Sequence, residues 1–214
     1  DFYRACKAEG IHPIIGCEVY VARRTRFDKQ HEFDAESRHL VLLCKNETGY
    51  RNLSYMVSQA YIEGFYIKPR IDMELLRAHS DGLIALSACL AGEIPKRLMN
   101  GDYSGAKAYA LEMRGIFGED FYLELQDHGI AEQTEVNRGL LRLHNETGIP
   151  LVCTNDAHYL RKEDAESHDV LLCIQTGKTV DDENRMRYEP RNFYIRSTEE
   201  METLFAGYPD AVAN

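Results

Sequence analysis

The chain has 214 residues, 44% of them hydrophobic, enough to bury a sizeable core, so collagen-like, disordered and mini-protein classes are excluded. Twenty-five Lys and Arg against 35 Asp and Glu leave a formal charge of −10. That balance argues against tight autonomous binding to a phosphate backbone, which draws its affinity from clustered cations, so any nucleic-acid role is expected to be local or delegated.

The opening residues have the apolar spacing of a helix already under way that ends at Gly10, with no initiator Met, as in a piece cut from a longer chain. Pro13 to Val21 then reads as a strand interrupted by Glu18, and His39 to Leu43 as a second, separated by the polar stretch Arg23 to Arg38. With no helix expected between them, the two should pair antiparallel. From there helices and strands alternate. Helices are expected at 49–63, 93–98, 104–117, 132–146 and 162–175, and strands at 83–87, 121–126 and 151–154. This is the rhythm of an α/β fold with a mainly parallel sheet, closed or open, and helices outside. Gly101, Gly118 and Gly148 punctuate it where left-handed caps are wanted. The end of the chain reads as an arginine-containing polar segment 181–192, a short strand Phe193 to Arg196, and a helix capped by Ser197 or Thr198. One domain is expected over 1–214, with its core at about 11–180 and a tail at 181–214.

No apolar run is long enough to cross a bilayer and no signal peptide is visible. Six scattered cysteines without a CxxC pair fit reduced thiols, so a soluble cytoplasmic protein with no membrane partner is expected.

In such folds, ligand and catalytic groups collect beyond the carboxyl ends of strands. There this sequence places Cys89, Asp127 with His128, and Asp156 with His158, the last pair at i and i+2. Glu18 inside an apolar run is costly to bury without a partner. His39, opening the returning strand, lies at the carboxyl end of the first. Glu18, His39, Cys89, Asp156 and His158 could therefore converge on a cation. A mixed carboxylate, imidazole and thiolate set suits zinc best, manganese or iron next, and magnesium poorly. Taken singly, each has an ordinary reading: a solvated edge glutamate, a surface histidine, a small buried cysteine, an aspartate capping a turn. A Cys89 nucleophile activated by His158 and oriented by Asp156 is the alternative chemistry. His128 is a possible further ligand, although Gln126-Asp127-His128-Gly129 also reads as turn chemistry. The other histidines, His168 among them, read as structural or solvated, and Arg23, Arg24 and Arg26, like Arg185, Arg187 and Arg191, as solvated loops rather than phosphate contacts.

Several strings have a familiar look: Pro13-Ile14-Ile15-Gly16-Cys17-Glu18, His39-Leu40-Val41-Leu42-Leu43, Thr48-Gly49-Tyr50-Arg51-Asn52-Leu53, Leu86-Ser87-Ala88-Cys89-Leu90-Ala91-Gly92-Glu93 and Thr154-Asn155-Asp156-Ala157-His158. In this order they resemble the polymerase-and-histidinol-phosphatase (PHP) family, in the branch found at the amino end of bacterial replicative DNA polymerase III alpha subunits. The resemblance implies a distorted seven-stranded β/α barrel around up to three metal ions, ligated here by Glu18, His39, Cys89, Asp156 and His158, and in some members a 3′ to 5′ proofreading exonuclease. The family's His-x-His strand and a second Asp-His motif have no counterpart in these 214 residues. An incomplete barrel, weak metal binding and no nuclease activity are therefore expected of this stretch alone. The polymerase active site, with its magnesium, would lie beyond Asn214, and DNA, a sliding clamp and a proofreading exonuclease would be the partners. A scaffold that docks such an exonuclease, or a stand-alone phosphoesterase, are the competing readings.

Overall fold

The computed structural model describes residues 1–214. In chain order the elements are α1 (Phe2–Ala8), β1 (Gly16–Ala22), α2 (His31–Asp34), β2 (Ser37–Cys44), α3 (Glu47–Ile62), β3 (Arg70–Ile71), α4 (Met73–Ala78), β4 (Leu83–Leu86), α5 (Glu93–Met99), α6 (Tyr103–Phe117), β5 (Phe121–Leu125), α7 (Ala131–Thr147), β6 (Leu151–Cys153), α8 (Ala165–Thr176), α9 (Thr198–Leu204) and α10 (Pro209–Ala213). They divide into two units: residues 1–123 with 143–150, and residues 124–142 with 151–214.

In the first unit the strands lie in the order β3, β1, β2, β4, β5. The fold is α/β, as expected, and β1 and β2 pair antiparallel with Tyr20 opposite His39. The expectation of a mainly parallel sheet needs correction. β2 also runs against β4, with Val41 opposite Leu86, so only the β1–β3 and β4–β5 pairs are parallel. Because strand side chains alternate between faces, Val19, Val21, Leu40 and Leu42 are buried together, and α3 packs on these strands through Leu53, Met56 and Ala60. Leu42 is fully buried, which contributes about 2 kcal/mol. The opposite face carries Glu18, Tyr20, His39 and Val41 and stays partly open.

The helices start where short polar side chains can take up a free backbone N–H. Asn46 accepts from Gly49 N–H at 3.0 Å, Asp102 from Gly105 N–H at 2.9 Å, and Asp72 from Leu75 N–H at 3.1 Å. The last of these opens α4, which with β3 falls where no element was expected, since both are too short to leave a period in the sequence.

Two readings of the arginines also change. Arg26 is buried, donating to Glu63 at 2.7 Å and to Asp72, while Arg24 grips Asp34 with two donors. Arg185 pairs with Asp169. Arg26 and Arg185 thus have buried side chains bound to the protein's own carboxylates and are not solvated, whereas Arg24 stays exposed, as expected, while pairing with Asp34.

In the second unit, Thr154 N–H donates to Leu125 O at 3.1 Å, and α10 lies against β6. The strand expected at Phe193 to Arg196 is reduced to a single bridge between Tyr159 and Tyr194. Its neighbour there is the irregular stretch after Asp156, which offers no regular ladder. Ser197 and Glu200 form a reciprocal capping box that starts α9 as expected. All six cysteines are free thiols, and no helix is long and apolar enough to cross a membrane.

Candidate metal centre

Glu18, His39 and Cys89, residues far apart in sequence, bring their donor atoms within 4.8 Å of one another. The register explains two of them. Tyr20 and His39 are cross-strand partners on one sheet face, and Glu18, two residues before Tyr20, shares that face and lies diagonal to His39. His39 Nδ1 stands 3.0 Å from Glu18 Oε1. Tyr20 meets the His39 ring edge-on, with centroids 5.2 Å apart.

Cys89 arrives from the other side, on the loop after β4. Ala88 adopts a positive φ of 63°, a conformation costing about 1–3 kcal/mol, and so turns the chain sharply out of the strand. Gly92 N–H then donates to Cys89 O at 2.9 Å, and His39 N–H donates to Ala91 O at 3.1 Å, fastening the loop to the start of β2. Gly92 is required there because a Cβ would stand 2.2 Å from Ser87 O. The result places Cys89 Sγ 3.6 Å from His39 Nδ1.

Glu18 is 39% exposed and His39 26%, so the three donors face an open part of the surface. Cys89, and next Glu18, hold the His39 imidazolium up to about 10. A proton on His39 thus bridges a carboxylate and a thiol. Replacing that proton by a divalent cation satisfies all three groups at once, so the donor set fits a metal, and the thiolate with imidazole matches zinc.

Asp156 and His158 lie in the second unit, beside one another, with Asp156 Oδ1 3.5 Å from His158 Nε2. Asp156 has φ 40°, tolerable for Asp, and this kink comes three residues after the end of β6. His158 N–H donates to Phe193 O at 2.8 Å, and its ring packs against Tyr188, Phe193 and His168, the last a residue that spacing on α8 did not single out. Its neighbours come from separate segments, a juxtaposition that no local pattern encodes. His128 supports the turn. Gln133 Nε2–H donates to its Nδ1 at 2.9 Å, its Nε2–H donates to Asn155 O at 2.7 Å, and the ring stacks on Phe193. Burial lowers its pKa, and with both nitrogens engaged it offers no donor to an ion.

The model of the PHP domain family matches residues 1–128, more than half of the chain. The chain belongs to the PHP domain family. Along its full length this PHP chain is 49% identical to DNA polymerase III subunit alpha of Treponema pallidum and 47% identical to that of Borreliella burgdorferi. Over 95% of its length it is 47% identical to that of Thermus aquaticus. It spans 18%, 19% and 17% of those three relatives.

Proposed function

We propose that this PHP chain is the metal-binding domain of a DNA polymerase III alpha subunit and that its centre, holding zinc, hydrolyses phosphodiesters at the 3′ end of DNA. The observation that carries the reading is the convergence of Glu18, His39 and Cys89 on one open sheet face. The likeness to three alpha subunits supports the polymerase setting. It also favours that setting over a stand-alone phosphoesterase.

A bound zinc ion supplies a Lewis acid that acidifies water and offsets charge developing on phosphoryl oxygens. The chain's part is to hold that ion with Glu18, neutral His39 and the Cys89 thiolate. With a formal charge of −10, the domain relies on the rest of the polymerase to deliver DNA. A sliding clamp and a separate proofreading exonuclease are the partners of that setting, magnesium serves the polymerase active site outside these residues, and the reduced thiols suit the cytoplasm.

The full-length gene product is expected to purify with zinc and to release nucleotides from single-stranded 3′ ends. Cys89→Ser and Glu18→Gln should each lower zinc affinity by at least about tenfold and reduce nuclease activity while polymerisation persists. Zinc content and nuclease activity unchanged in both variants would overturn the reading. A zinc-loaded parent without nuclease activity would overturn its hydrolytic part and leave a structural, docking centre.

A further inference from the structure

On the sheet face that carries the donor cluster, one cation lies over an aromatic ring. Lys68 Nζ lies 5.5 Å from the centroid of the Tyr20 ring, the same ring that meets His39 edge-on. The lysine is exposed and pairs with no carboxylate, although the chain carries 35 acidic residues. Its backbone is fastened on both sides. Tyr66 N–H donates to Lys68 O at 3.0 Å and Lys68 N–H to Tyr66 O at 2.6 Å, which closes a tight turn with Ile67 at its tip in a left-handed conformation, φ 62°. A β-branched residue adopts that conformation only where its surroundings impose it. Pro69 stiffens the exit of the turn, and Arg70 anchors it. The buried Arg70 guanidinium donates to the backbone carbonyls of Gly64, Asp34, Arg26 and Asp28. The tight turn and the fixed backbone on either side of it set where the Lys68 side chain leaves the chain, and its ammonium lies over the ring that flanks His39.

We infer that Lys68 is a substrate-binding residue of this centre, taking up the non-bridging oxygens of a phosphate group seated at the Glu18, His39 and Cys89 cluster. The inference rests on the metal-dependent phosphoester reading and names the group that recognises its substrate. An ammonium on a flexible four-carbon stem meets phosphate as a mobile point charge, and the Tyr20 face tethers it without neutralising it, as a carboxylate partner would.

The test uses the zinc-loaded full-length gene product, with inorganic phosphate as the probe and the chelator-stripped protein as the reference. Zinc-dependent phosphate binding should weaken about tenfold in Lys68→Gln. It should stay within about threefold of the parent in Lys68→Arg, which keeps the charge. Zinc stoichiometry and melting temperature should be unchanged in both, and the nuclease KM of Lys68→Gln should rise more than its kcat falls. Phosphate binding in Lys68→Gln equal to the parent's, or a zinc-loaded parent that binds no phosphate, would overturn the inference and leave the metal centre intact. A parent that takes up no zinc would overturn both.

Discussion

Arg24, Arg26 and Arg70 organise the stretch between β1 and β2 by different means. Arg24 and Arg26 reach carboxylates, whereas Arg70 spends its donors on backbone carbonyls. The partner of Arg24 is Asp34, whose carboxyl is drawn down to about 2, chiefly by that guanidinium and, against the cost of burial, by Gln30 N–H. Because this value lies below the ordinary 3.8, the stability that Asp34 adds is complete above about pH 4 and is lost as the pH falls toward about 2. The denaturation midpoint of the parent should therefore exceed that of Asp34→Asn at neutral pH and converge on it over this range. A gap that stays constant down to about pH 2 would show that the ion pair does not contribute through ionisation. Nothing in the local pattern Arg24 to Asp34 announces this pairing; it needs the turn between them to close.

At the scale of elements, the loop joining β4 to α5 decides whether Cys89 meets His39. Ala88 bends it, Gly92 allows it to close, and the Ala91 carbonyl ties it to β2. Gly92→Ala would force a Cβ against Ser87 O, and is expected to cost about 1–3 kcal/mol in equilibrium denaturation and to lower zinc retention alongside. A variant with parental stability and zinc content would show that the loop is looser than its contacts imply. The strands and long helices here were readable from apolar periodicity, since β1 and β2 announce themselves in Val19 and Val21, Leu40 and Leu42, and α3 and α6 fall where helices were expected at 49–63 and 104–117. β3 and α4 were not, because two and six residues are too few to show a period.

For the whole chain, the formal charge of −10 predicts weak contact with nucleic acid. At physiological salt the 214 residues alone should bind duplex DNA with a Kd weaker than about 10⁻⁴ M, the upper end of non-specific affinities, as read by fluorescence anisotropy. Tighter, salt-dependent binding would reveal a cationic surface that the overall balance conceals.

The residues by themselves carried the α/β class, the antiparallel first pair and the PHP likeness, and singled out Glu18, His39, Cys89, Asp156 and His158 as candidate donors, because strand alternation and donor chemistry are local properties. Only the folded chain decided that a bent loop brings Cys89 to His39, that His128 spends both ring nitrogens on its own turn, and that Lys68 stands over Tyr20. Those outcomes depend on register and on backbone closure between distant segments, which no stretch of sequence encodes alone.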